Sequence, residues 1–187
     1  MRKGWIAWLL VLSWVGTALA QGALEDFPLG LTSMTWEIAS RDLSSPQELT
    51  LRVEGKPGGQ YRIELVLAAE GTAEELGTLG FLGSALFVQA SGAQVDLTSL
   101  LVLSRRRESL QVGQSYVVPG GTFVARERTA IAGVVSLVGE FRAADRAATV
   151  VEVGFALSDP VYFLPLLRVR EEGKVTFEMV LIGYRRP

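Results

Sequence analysis

The sharpest concentration of reactive charge is the run Arg105-Arg106-Arg107, joined by Arg126 and Arg128 if the segments carrying them are neighbours. Guanidinium groups grip carboxylates and phosphates through paired N–H donors, so these five residues are the candidate site for an anion or an acidic partner. Glu108 and Glu127 lie in the same segments and dilute the positive field. The bland reading of such a run is a solvated turn between strands.

A second set of groups comprises the carboxylates Glu64, Glu127, Glu140, Glu152 and Glu178. A glycan-active enzyme needs only two carboxylates at a suitable separation, but all five fall at polar positions of alternating segments, where a solvated strand face accounts for them. Asp96, Asp145 and Asp159 lie in or near turns and are candidate calcium ligands, without the spaced acidic run of an EF-hand loop. Turn aspartates ordinarily bond their own backbone.

The chain contains no His and no Cys. That removes Ser-His-Asp and Cys-His nucleophiles together with the ligands of nearly every zinc site. Neither Lys56 nor Lys174 follows a serine by three positions, so a Ser-x-x-Lys arrangement is missing as well. The glycines at Gly55 to Gly59 and Gly120-Gly121 lack the order of a phosphate-cradling loop and read as turns. The expectation is a non-catalytic protein with no cofactor and no bound metal. No nucleic-acid partner is expected, since neither a basic stripe nor interleaved aromatics accompanies the run.

The elements that would position these groups are strands. From Met34 onward, apolar and polar residues alternate in short runs broken by Gly, Pro and charged clusters. Leu49, Leu51 and Val53 share one face; after the turn Gly55-Lys56-Pro57-Gly58-Gly59, so do Tyr61, Ile63, Leu65 and Leu67, which predicts a hairpin. Ala73 to Leu76 allows a single helical turn. Further strands are expected at Ala85 to Ala90, Gln94 to Leu103, Leu110 to Val118, Thr122 to Arg126, Ala130 to Phe141, Thr149 to Leu157, Val161 to Arg170 and Lys174 to Tyr184. The last three are apolar on both faces and should lie mid-fold, with Pro165 forcing a bulge or an edge. Trp36, Tyr61, Phe87, Phe123, Phe141, Phe155, Phe163 and Phe177 read as core filling.

The expected fold is therefore all-β: an antiparallel β-sandwich, Ig-like or related, of 9–11 short strands with little helix. Residues 34–187 form its single domain, preceded by a flexible segment at 21–33.

Residues 1–20 read as a cleaved secretory signal: Arg2 and Lys3, an apolar stretch from Trp5 to Val15, and the ending Ala18-Leu19-Ala20. Losing Arg2 and Lys3 moves the formal charge from −2 to −4. No cysteine is available for a lipid anchor. The absence of Asn and Cys, with 15 Arg against 3 Lys, points to a thermophilic bacterium. These features predict a periplasmic or extracellular envelope protein, structural or recognising a protein or polymer partner. Edge-strand pairing is the expected mode, with Thr122 to Arg126 as the candidate edge. The alternative is a small outer-membrane β-barrel, the one reading that places the chain in a membrane.

Overall fold

The computed structural model describes residues 24–41, 43–72, 88–90, 93–95, 98–104, 106–144 and 149–187. Their strands are β1 (Gly30–Ser40), β2 (Gln47–Lys56), β3 (Gln60–Ala68), β4 (Val88–Ala90), β5 (Ala93–Val95), β6 (Ser115–Val118), β7 (Gly121–Ile131), β8 (Val134–Ala143), β9 (Thr149–Ala156), β10 (Leu166–Glu171) and β11 (Lys174–Arg185). One helix, α1 (Thr98–Ser104), and a 3-10 turn at Arg107–Ser109 stand between β5 and β6. β4 and β5 pair as a small separate hairpin. The other nine strands form one open antiparallel sheet in the order β3-β2-β1-β11-β10-β9-β8-β7-β6. The expected all-β antiparallel architecture is thus present, as a sandwich- or barrel-like curled sheet.

The sheet is built almost wholly from neighbouring hairpins, and β1–β11 is the pairing that joins the two ends of the chain. Residues directly opposite in an antiparallel pair share a face. The register therefore carries one apolar face across the sheet: Leu51 opposite Met34, Trp36 opposite Leu181, Leu167 opposite Val153, and Phe123 opposite Phe141. Three bulges interrupt the pairing, at Thr35/Trp36, Val169/Arg170 and Ala125/Glu127. An extra residue in one strand increases local twist, which helps to curl the sheet around its own apolar side.

Two cores fill that curl. The first gathers Phe123, Leu137, Phe155 and Leu167 beneath Leu100 and Leu103 of α1 and Leu110. The second gathers Met34, Trp36, Leu51, Val53 and Leu181 with Phe27 from the segment before β1. Trp36, fully buried, donates from Nε1 to the Leu164 carbonyl at 3.0 Å and meets Phe163 edge-on at 5.5 Å. The aromatic side chains within the described residues are core filling, as expected; Phe87 lies outside them.

Several segments differ from the sequence expectation. Thr98–Ser104, expected within a strand from Gln94 to Leu103, is helical. Leu100 and Leu103 are buried while Val102 is exposed, a three-residue spacing that an unbroken apolar run conceals. Leu110 to Gln114 is irregular, and the strand there begins only at Ser115. The run from Ala130 to Phe141 is broken by a two-residue turn at Ala132-Gly133, whose φ values of 48° and 83° suit a tight hairpin. Val161 to Pro165 crosses the second core as a loop, so β10 starts after the proline and the Pro165 carbonyl accepts from the Leu181 N–H. The helical turn expected at Ala73 to Leu76 lies outside the described residues.

Candidate partner-binding edge

The arginines singled out by sequence are divided between two elements. Arg105 lies outside the described residues. Arg107, in the 3-10 turn, donates to Asp26 at 3.2 Å and ties the segment before β1 to the end of α1. Arg126 occupies the β7 bulge and pairs with Glu140 at 3.0 Å. Arg106 and Arg128 are exposed and make no ion pair among the described residues. No hydrogen bond or ion pair joins the Arg106-Arg107 turn to β7 among the described residues, so the two halves of the cluster are anchored to different carboxylates.

Opposite the apolar face, the sheet carries a lattice of charge. Arg168 on β10 bonds Glu152 on β9 at 2.9 Å and Glu178 on β11 at 2.6 Å, and Arg170 adds a contact to Glu152 at 3.1 Å. Glu140 accepts from Arg126 and, at 3.4 Å, from Arg142. A shallow depression of about 370 Å³ runs between Glu140, Arg142, Val150, Glu152, Arg170 and Gly173. Its charges satisfy one another. The hydrogen bond from Arg126 holds the Glu140 carboxyl below its usual range; partial burial opposes this, and the positive charges of Arg126 and Arg142 reinforce it. A general acid requires the reverse shift, so Glu140 is a poor one. Arg168 is held more firmly protonated than usual, chiefly by its bond to Glu178 and then by Glu152, against partial burial. Of the remaining acidic candidates, Glu64 pairs with Arg52 at 3.3 Å and Asp159 with Arg186 at 3.1 Å, while Glu127 on β7 is exposed and makes no ion pair among the described residues. Asp96 and Asp145 lie outside the described residues.

The candidate edge at Thr122 to Arg126 is corrected by the sheet order: β7 is hydrogen-bonded on both sides, to β6 and β8. The terminal strands are β3 and β6. β6 spans only Ser115–Val118, the kind of short strand that offers little to an incoming chain. β3 is different. Its nine residues pair with β2 in unbroken register from Glu48–Ala68 to Lys56–Gln60, with no proline and no bulge. The far end of β3 is clamped, because Gln47 donates to the Glu70 carbonyl at 3.2 Å and accepts from the Glu70 N–H at 3.0 Å.

On the apolar face of this strand Tyr61 and Leu67 pack against the second core, and among the described residues the middle of the strand between them is only half covered. Leu51 and Val53 on β2 are 1% and 0% exposed, whereas Leu65 and Ile63, directly opposite them on β3, are 47% and 44% exposed. A regular strand whose second edge is unpaired among the described residues, with half-exposed apolar side chains, is what a partner strand needs: main-chain groups to bond and pockets to fill. The sequence showed that Ile63 and Leu65 share a face, but strand order, which makes that face terminal, depends on pairing distant in sequence.

No protein-family model matches the chain, and no curated protein matches it. Solved structures do. The crystal structure of MucB in complex with MucA(peri) is similar at 10% sequence identity and a TM-score of 0.51, over 91% of this chain and 54% of that one. The crystal structure of MucB gives 10% identity and a TM-score of 0.49 over 91% of this chain and 58% of that chain. The MucA/MucB complex of Pseudomonas aeruginosa gives 10% and 0.49 over 90% of this chain and 56% of that chain. The chain thus spans a little over half the length of these solved chains. What is shared at such identity is the fold.

Proposed function

We propose that this chain is an exported, non-catalytic protein of the cell envelope that binds a protein partner by strand addition along β3. The carrying observation is that edge: a regular nine-residue strand, unpaired on one side among the described residues, with Ile63 and Leu65 half-exposed on the face that is buried one strand further in. Export to the periplasm rests on the signal-like residues 1–20. The fold shared with MucB, a protein solved in complex with MucA(peri), supports a partner-binding role. A non-catalytic role is supported by the ion pairing of Glu64, Glu140, Glu152 and Glu178 and by the lack of His and Cys.

The barrel reading is disfavoured by geometry. A strand-built membrane span must close on itself. Among the described residues β3 and β6 are not paired to each other, and much of the apolar face lies under the protein's own α1, Phe27 and the Val161 to Phe163 loop rather than facing outward.

The test is a photo-crosslinking residue placed at Leu65 and, as a control of matched exposure, at Val135 (47% and 48%) in cells making the full chain. Crosslinks to protein in the envelope fraction are expected from position 65 and not from 135. Equal labelling, or none from 65, would contradict the proposal.

A further inference from the structure

We infer that the strand received by β3 is β3 of a second copy of this chain, paired antiparallel about a two-fold axis through Ile63. This deepens the β3-edge proposal above and rests on it. Continuing the sheet across such an axis requires residues of one face to meet residues of the same face, so the axis passes through a residue and each axis position fixes every pair. An axis at Arg62 or at Glu64 sets that charge against its own copy. An axis at Leu65 faces Glu64 with Val66 and Arg62 with Ala68, leaving both charges unmatched. An axis at Ile63 sets Arg62 against Glu64 of the second copy, twice by symmetry. On the apolar face it places Ile63 against itself and Tyr61 against Leu65.

The neighbouring strand agrees with that register. On β2, Glu54 lies opposite Arg62 and Arg52 opposite Glu64, the latter pair bonded at 3.3 Å. Pairing about Ile63 therefore extends the rows into a charge ladder of alternating sign: Glu54, Arg62, then Glu64 and Arg52 of the second copy. On the other face, the half-exposed Ile63 and Leu65 become interior to a continuous apolar surface. Opposite charges and apolar pairs directly across strands are the favourable combinations; like charges are the unfavourable ones.

The chain has no cysteine, so one introduced thiol reports one position. In the full exported chain, Ile63→Cys places the two thiols directly opposite, at a Cα separation of about 5 Å, which a disulfide spans. Leu65→Cys places them four residues out of register, about 13 Å apart, which it cannot span. The expected result is a covalent dimer under mild oxidation for Ile63→Cys and none for Leu65→Cys. Independently, Arg62→Glu and Glu64→Arg should each weaken self-association about tenfold or more by sedimentation, and mixing the two variants should restore a heterodimer, because each then supplies the charge the other faces. Equal crosslinking at both positions, or mixed variants that fail to associate, would overturn the register. Crosslinking of Ile63→Cys to a different envelope protein would overturn self-pairing while leaving the β3 edge as the binding site. A chain that stays monomeric and crosslinks to nothing at β3 would overturn both.

Discussion

Glu140 contributes to stability only while it is ionised, because what lowers its folded-state pKa is the hydrogen bond from Arg126 together with the charges of Arg126 and Arg142. A depressed carboxyl supplies stability above its unfolded pKa and loses it as pH falls through the folded value. Glu140→Gln should therefore be less stable than the parent near neutral pH, and denaturant titrations at decreasing pH should show the gap closing below the ordinary carboxylate range. Arg168 is the more demanding position, since Glu152 and Glu178 lie on both sides of it and all three side chains are largely covered. Arg168→Met leaves Glu178 without its partner and Glu152 with Arg170 alone, and should cost about 2 kcal/mol of unfolding free energy. Gly139 has a steric role: a Cβ there would collide with the Phe123 ring and the Val124 carbonyl. Gly139→Ala should destabilise by about 2 to 3 kcal/mol in equilibrium denaturation. None of these relationships was legible in sequence, where Glu140 and Glu152 looked like solvated strand positions and Gly139 like any glycine.

At the scale of elements, the hairpins with glycine-marked turns were legible. The runs Leu49 to Val53 and Tyr61 to Leu67 became β2 and β3 around Gly58 and Gly59, both with positive φ. Residues Lys174 to Tyr184 became β11 after the Glu172-Gly173 turn. The Ala132-Gly133 turn was missed because Ala at its first position carries no turn signal and apolar residues flank it on both sides. That alanine holds φ at 48°, a conformation favoured by Asn and Gly. Ala132→Asn should consequently raise stability by about 0.5 to 1 kcal/mol, read as a rise in melting temperature with the β7–β8 register unchanged. α1 was hidden for a related reason: an apolar run such as Leu100 to Leu103 does not by itself distinguish helix from strand.

For the whole molecule, composition and alternation indicated an antiparallel all-β fold, but strand order could not be read, because the pairing of β1 with β11 joins segments nearly the full chain apart. That single pairing makes β3 and β6 the ends of the sheet and places β7 inside it. The edge position of β3 among the described residues is thus a property of topology rather than of its own residues. Its most direct test is amide hydrogen exchange across the purified chain, compared between dilute and concentrated solution. Protection of β3 amides should rise about tenfold or more on concentration while β6 is unchanged, as the free edge gains a bonded strand. Unchanged exchange in β3, with new protection appearing at β6 or elsewhere, would contradict the account.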